Sequence, residues 1–238
     1  MLLEVKDLNT YYGDSHALQN MSLEVEDGEI VALLGRNGMG KTTTLKSVMG
    51  LLKPKSGTVI FQGKNITGFA PYKVAKAGIG YVPEERRIFP TLSVQENLKM
   101  GIKHGKEFRN GGRNQWTFER IFKHFRFMKE RSNQKGALLS GGEQQMLTIA
   151  RTLMGNPELL LVDEPTEGLA PVMVEEVRGV LAEINKAGVS ILLVEHNLKV
   201  ALSLANRVYL MGKAHLGFAG TVKELEAQPD IRAKYLEV

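Results

Sequence analysis

The run Gly35-Arg36-Asn37-Gly38-Met39-Gly40-Lys41-Thr42 has the residue types and spacing to hold a polyphosphate. Glycines let a backbone curl with its N–H groups converging on an anion, and a following helix N-terminus adds partial positive charge. Lys41 can reach the outer phosphates. The hydroxyl of Thr42, with Thr43 next to it in the first helical turn, suits a magnesium ion that bridges those phosphates. A fortuitous glycine turn is the bland alternative. The apolar run Ile30–Leu34 before the loop and the helical pattern from Thr43 to Met49 after it favour the cradle.

Two further apolar runs end in polar groups. Leu159–Val162 is followed by Asp163, Glu164 and Pro165, so a buried strand would deliver two carboxylates to the carboxyl edge of a sheet, where α/β folds bind ligands. Asp163 can enter a magnesium shell there, and Glu164 can orient or deprotonate a water attacking a γ-phosphate. Ser190–Val194 ends in Glu195-His196-Asn197; a lone histidine is usually structural, but the same placement at the end of a core strand favours His196 as a γ-phosphate contact. Ser140 and Glu143 have the spacing of a capping box at a helix start. Two adjacent glycines exceed what a cap needs, so Ser140, Gly141 and Gly142 read as a second anion site. Tyr11 and Tyr12 precede Gly13-Asp14 in what reads as a loop, either packing on a hairpin or offering an aromatic face to an adenine ring.

The elements that position these groups follow from periodicity. Alternating residues between 2 and 34 give an antiparallel hairpin that feeds a buried strand, with Asp27-Gly28 as the turn. Thr58–Phe61 and Ile79–Val82 are strands, Gly63-Lys64-Asn65 is a turn, and Pro71–Ala77 is a short helix ended near Gly78. Glu84–Pro90 is a charged loop bounded by prolines, and Ser93 with Glu96 opens a helix over Val94–Met100. Phe118, Ile121, Phe122, Phe125 and Met128 recur at helical spacing, which predicts one basic amphipathic helix from Trp116 to Glu130 after a Gly-rich loop at Asn110 to Asn114. His124 on that helix reads as a surface histidine. Val174, Val177, Leu181 and Ile184 share one face of a helix stopped at Gly188, and strands over Arg207–Met211 and His215–Ala219 precede a helical tail.

Composition narrows the function class. Lys plus Arg total 31 against 26 for Asp plus Glu, and a net charge of +5 over 238 residues does not demand nucleic acid. It suits an anionic ligand such as ATP, or work beside an anionic membrane face. Cysteine is absent, so disulfides and thiolate metal sites are excluded. No apolar run approaches the roughly 18 residues of a membrane span, which predicts a cytoplasmic chain whose membrane role comes through a partner.

Taken together, Gly35 to Thr42, Leu139 to Glu143, Leu159 to Glu164 and His196 resemble the ATP-binding subunit of an ABC transporter over nearly the whole chain. The resemblance implies an α/β P-loop NTPase core, mostly parallel sheet flanked by helices, with an N-terminal antiparallel β subdomain and an inserted helical subdomain. It implies one ABC domain over 1–238, with 1–90 and 156–238 as core and β subdomain and 91–155 as the helical part carrying the signature. Tyr12 is then the adenine-stacking aromatic, and Gly35, Arg36, Asn37, Gly38, Met39, Gly40, Lys41, Thr42 and Thr43 hold the phosphates. Thr42 and Asp163 hold Mg2+, Glu164 is the general base and His196 the switch histidine. Ser140, Gly141 and Gly142 face the nucleotide of the other subunit in a head-to-tail homo- or heterodimer.

Glu84 stands where the family commonly has a glutamine, and it can approach magnesium without donating the hydrogen bonds of an amide. The run Pro83–Pro90, the stretch Glu167-Gly168-Leu169-Ala170-Pro171 and the ending Tyr235-Leu236-Glu237-Val238 are similar to ATPases of branched-chain amino-acid uptake. Relatives of those serve urea or other amides. The expected partners are integral membrane permease subunits and, indirectly, a solute-binding protein, at the cytoplasmic face of the membrane and without nucleic acid. Two rival readings are a soluble ABC-type ATPase acting on nucleic acid, suggested by the basic segment 101 to 136, and a regulator that holds ATP without cleaving it.

Overall fold

The computed structural model describes residues 1–103 and 115–236. Two sheets carry the architecture. The first is antiparallel, in the order β2-β1-β4-β5, from β1 (Leu3–Tyr12), β2 (Ser15–Val25), β4 (Ser56–Phe61) and β5 (Lys64–Asn65). The second runs β10-β9-β3-β8-β7-β6. In it β3 (Ile30–Gly35), β6 (Ile79–Val82), β7 (Leu159–Asp163), β8 (Ser190–Val194) and β9 (Arg207–Gly212) are parallel, and β10 (His215–Thr221) pairs antiparallel at one edge. Every residue of β3, β7 and β8 is buried, as expected of continuous apolar runs in a sheet covered on both faces. The α/β class read from the sequence is the class observed.

Strand alternation sends side chains into two cores. Leu159 and Leu161 join a cluster with Leu45 and Val48 of α1 (Lys41–Val48) and with Leu3, Leu8 and Phe61 of the antiparallel sheet. Helix α1 is therefore held between the two sheets. Leu160 and Val162 face the other way, toward Leu147 and Leu153 of α6 (Gly141–Leu153) and Val177 and Leu181 of α7 (Pro171–Lys186). Helix α3 (Val94–Met100) packs on α6 and brings Val94 and Leu98 into this second core. A smaller cluster joins Ala32 and Leu34 to α8 (Leu198–Leu204), β9 and α9 (Val222–Glu226).

Helix α2 (Pro71–Ala77), β6 and α3 have the bounds that the sequence pattern predicts, and the capping boxes of Ser93 with Glu96 and Ser140 with Glu143 are both formed. Four local expectations are corrected. The stretch read as one helix from Trp116 to Glu130 is two, α4 (Phe118–His124) and α5 (Arg126–Glu130), broken at Phe125 with φ −119° and ψ 72°. Ile121, Phe125 and Met128, at i, i+4 and i+7, still enter the second core together. His124 is no free surface histidine, since its Nδ1 lies 2.7 Å from Glu183 and its ring tilts against Trp116. Tyr11 and Tyr12 end β1 instead of lying in a loop, and Tyr11 stacks on His16 across the hairpin at 4.1 Å. Lys64 and Asn65, read as a turn, form the short strand β5 on β4. The Gly-rich loop at Asn110 to Asn114 lies outside the described residues. Among those described, no helix is long and apolar enough to cross a membrane.

Candidate functional site

The loop from Gly35 to Gly40 leaves the carboxyl end of β3, and α1 begins at Lys41. Gly40 sits at φ 103°, and a Cβ there would lie 2.8 Å from the Ala17 carbonyl oxygen of β2. Only glycine meets both demands without moving the strand. Lys41 is 4% exposed. Its Nζ donates to the carbonyls of Gly35 at 2.8 Å and Arg36 at 3.1 Å, and it lies 3.8 Å from Glu164 Oε1. Burial pushes the Lys41 pKa down, against the pull of Glu164 and Asp163.

Strand order explains how distant residues meet. β8 lies between β3 and β7, so their carboxyl ends share one edge. Asp163 is fully buried beneath the loop, its Oδ1 accepting from Thr42 Oγ1 at 3.0 Å and its Oδ2 from Tyr81 Oη at 3.0 Å. Burial raises its pKa, while those two hydrogen bonds oppose the rise. Glu164 adopts φ 46°, an uncommon conformation for a side-chain-bearing residue, and its N–H bonds to Val194 O of β8 at 2.8 Å. Its Oε1 lies 2.7 Å from His196 Nε2. Burial, then the contact with Glu167, pushes the Glu164 pKa up to about 8, and burial pushes that of His196 down. With that pKa the carboxyl largely keeps its proton at neutral pH, and the fraction that is ionised is basic enough to accept one.

A crevice of about 650 Å3 is lined by Tyr12, Asn37, Gly38, Met39, Gly40, Lys41, Thr42, Thr43, Glu84 and Glu164 together. Gly35, Arg36 and His196 instead line a neighbouring cavity of about 330 Å3, although His196 reaches Glu164 from there. Ser140, Gly141 and Gly142 line neither; they open α6, with Gly141 beside the Arg86 guanidinium and Gly142 against Met173. The structure thus brings the loop, the acid pair and the histidine to one edge and leaves the second glycine pair elsewhere.

Three participants escaped the sequence reading. Glu167 lines the crevice, and oxygens of Glu84, Glu164 and Glu167 lie within 4.8 Å of one another. Burial and Glu167 raise the Glu84 pKa. An acid two residues after Pro165, on a loop leaving the carboxyl edge, was the available signal. Tyr81 is reached only through the pairing of β6 with β7, which no local pattern announces. Glu195, 2% exposed, accepts from the backbone N–H and the hydroxyl of Thr166 and from Asn197 N–H, tying the loop after β7 to the loop after β8.

A buried ammonium beside a glycine loop and a helix N-terminus fits a polyphosphate, and Thr42 Oγ1 and Asp163 Oδ1, 3.0 Å apart, are oxygen donors of the kind a hard divalent cation takes, whereas the Glu84 oxygens group with those of Glu164 and Glu167. Residues 18–167 match the family described as ABC transporter. The chain belongs to that family. It is 38% identical, over 99% of both chains, to the high-affinity branched-chain amino acid transport ATP-binding protein BraG of Pseudomonas aeruginosa. It is 33% identical, over 99% of its own length and 97% of the relative's, to the lipopolysaccharide export system ATP-binding protein LptB of Haemophilus influenzae. A solved nucleotide-free ATP-binding cassette from an ABC transporter superposes with a TM-score of 0.83 at 27% identity, covering 97% of this chain and 96% of that one. As an ABC ATP-binding domain the chain is an ATPase, and ABC ATPase domains work as dimers with membrane permease partners.

Proposed function

We propose that this chain is the ATP-hydrolysing subunit of an importer that takes up branched-chain amino acids, acting at the cytoplasmic face of the membrane on a separate permease fed by a solute-binding protein. The observation that carries the solute class is the end-to-end likeness to BraG, at 38% identity against 33% for LptB. In this reading Tyr12 stacks on adenine, the loop Gly35–Thr43 and Lys41 hold the phosphates, and Thr42 and Asp163, with Glu84 near, hold Mg2+. That ion neutralises charge on the phosphates when bound. Glu164 takes a proton from a water that attacks the γ-phosphorus, the bond to the bridging oxygen breaks, and ADP and phosphate form. His196, 2.7 Å from Glu164, orients that carboxylate and meets the γ-phosphate.

Ser140, Gly141 and Gly142 lie outside the crevice, which supports their service to the nucleotide of a second subunit. Two nucleotides then hold the dimer closed until hydrolysis releases it. The loop Glu84–Pro90 would carry that motion to the permease. Its first residue lines the crevice, and its later carbonyls are fastened to helices, Arg87 O accepting from Arg151 Nη2 at 2.7 Å and Phe89 O from Asn97 Nδ2 at 2.9 Å.

The second reading is lipopolysaccharide export, favoured by the nearly full-length likeness to LptB. Purifying the chain with its native membrane partners separates the two. Uptake predicts a permease whose ATPase rises when a solute-binding protein loaded with leucine is added to the reconstituted complex. Partners that extract lipopolysaccharide, with no response to any amino acid, would reject the import reading.

A further inference from the structure

The last helix described, α10 (Pro229–Leu236), has no buried residue, yet its Tyr235 occupies a shaped seat. The ring lies against two glycines, Gly212 at the end of β9 and Gly217 in β10. A Cβ on Gly217 would overlap the ring and its hydroxyl, and one on Gly212 would lie 2.5 Å from Cε1. Glycines inside strands weaken them and mark places where another group must approach closely. Here that group is the Tyr235 ring.

Between the two glycines runs the turn Lys213-Ala214, and both of its residues line the crevice that holds Tyr12 and the phosphate loop. Both are left-handed, at φ 46° and 70°, in a hairpin turn that ordinarily takes Asn and Gly. Such a turn persists when its surroundings fix it. On the inner side Lys213 N–H meets Met39 Sδ at 3.0 Å, and Gln19 N–H donates to Ala214 O at 2.8 Å. On the outer side, the flanking glycines receive Tyr235.

We propose that α10 braces the nucleotide crevice, with Tyr235 as a positioning residue that holds the Lys213-Ala214 turn against the base-bearing end of ATP. The inference rests on reading Gly35–Thr43 as the nucleotide loop. The turn lines the crevice with Tyr12, Ser15 and His16 and is held by Gln19 of β2 as well as by Met39 of the phosphate loop, so the brace acts on the base more than on the phosphates.

The test uses the full chain with Tyr235→Ala, Tyr235→Phe and Gly217→Ala, each checked for folding by circular dichroism, and titrates ATP and inorganic tripolyphosphate by calorimetry. Tyr235→Ala should weaken ATP by roughly two- to thirtyfold, the range for residues that act on a site through an intervening element, and weaken tripolyphosphate by clearly less. In ATPase assays KM should rise with kcat held. Tyr235→Phe should bind ATP like the wild type, because the ring fills the seat, and Gly217→Ala should reproduce the loss by expelling it. Unchanged ATP affinity in folded Tyr235→Ala and Gly217→Ala would overturn the brace, as would equal weakening of ATP and tripolyphosphate. A wild-type chain that bound tripolyphosphate but not ATP would overturn the nucleotide reading and the brace with it.

Discussion

Replacing Glu164 by glutamine should stop hydrolysis and, at the same time, stabilise the protein by an amount that grows with pH. Glu164 is 8% exposed, and burial with its acidic neighbours raises its pKa from 4.5 to about 8. The folded state therefore binds this proton more tightly than the unfolded chain does. Below about pH 4.5 both states are protonated, and the carboxyl behaves much like an amide. Between 4.5 and about 8 the unfolded chain sheds the proton while the folded one keeps it, so stability falls as pH rises; above about 8 the penalty is complete. At about 1.36 kcal/mol per pH unit, the rise from 4.5 to about 8 sets a ceiling of about 5 kcal/mol. Water in the open crevice and relaxation around Lys41 and His196 screen most of it, leaving on the order of 1–2 kcal/mol. For a chain of this size that corresponds to a Tm gain of about 2–8 °C. Thermal unfolding without nucleotide should show this gain at pH 8.5 and almost none at pH 5. A gain equal at both pH values, or a loss at pH 8.5, would refute the assignment of Glu164 as a buried, proton-retaining acid. The same variant should keep ATP binding while phosphate release falls by roughly 10²–10⁴-fold, the usual contribution of a general base.

Lys41→Ala removes a charge-assisted contact and should weaken ATP by about ten- to a hundredfold in a direct titration; unchanged affinity would count against the phosphate clamp. Gly40→Ala forces a Cβ to within 2.8 Å of Ala17 O at φ 103°, and should cost about 1–3 kcal/mol in denaturant unfolding as well as ATP affinity. A variant as stable as the wild type would show that the loop relaxes freely. Because Ser140–Gly142 lie outside the crevice, turnover per subunit should fall on dilution of the isolated ATPase. Activity strictly linear in protein concentration down to monomer would contradict the shared site.

Much of this was legible in the sequence where local rules and the final fold agree. Helix α3 keeps its bounds because Ser93 and Glu96 close a capping box whatever packs nearby. β7 and β8 are continuous apolar runs, so their burial and polar ends could be read together. The failures share one cause, which is tertiary contact. Ile121, Phe125 and Met128 share the core that their spacing predicts, yet Phe125 leaves the helical dihedrals between α4 and α5, a break that the spacing does not announce. His124 finds Glu183 only across 59 residues of sequence. Tyr81 joins the site through the neighbouring strand, a pairing set by the order of the whole sheet.

The carboxyl edge gathers what a folded chain ordinarily avoids. Lys41, Asp163 and Glu164 are buried there, burial shifts all three toward their uncharged forms, and Glu164 holds a left-handed backbone. Packing elsewhere must tolerate these costs, and the apolar strands β3, β7 and β8 that present the residues supply that packing. The same strain has a chemical use. A polyphosphate entering beside Lys41 gives its ammonium a further anion to set against the cost of burial, and it places an electrophilic phosphorus next to a carboxyl whose pKa lies near neutrality. ATP binding should therefore offset the cost of burying the Lys41 ammonium and hold the edge together. That explains why these costly residues sit where a phosphate chain would meet them.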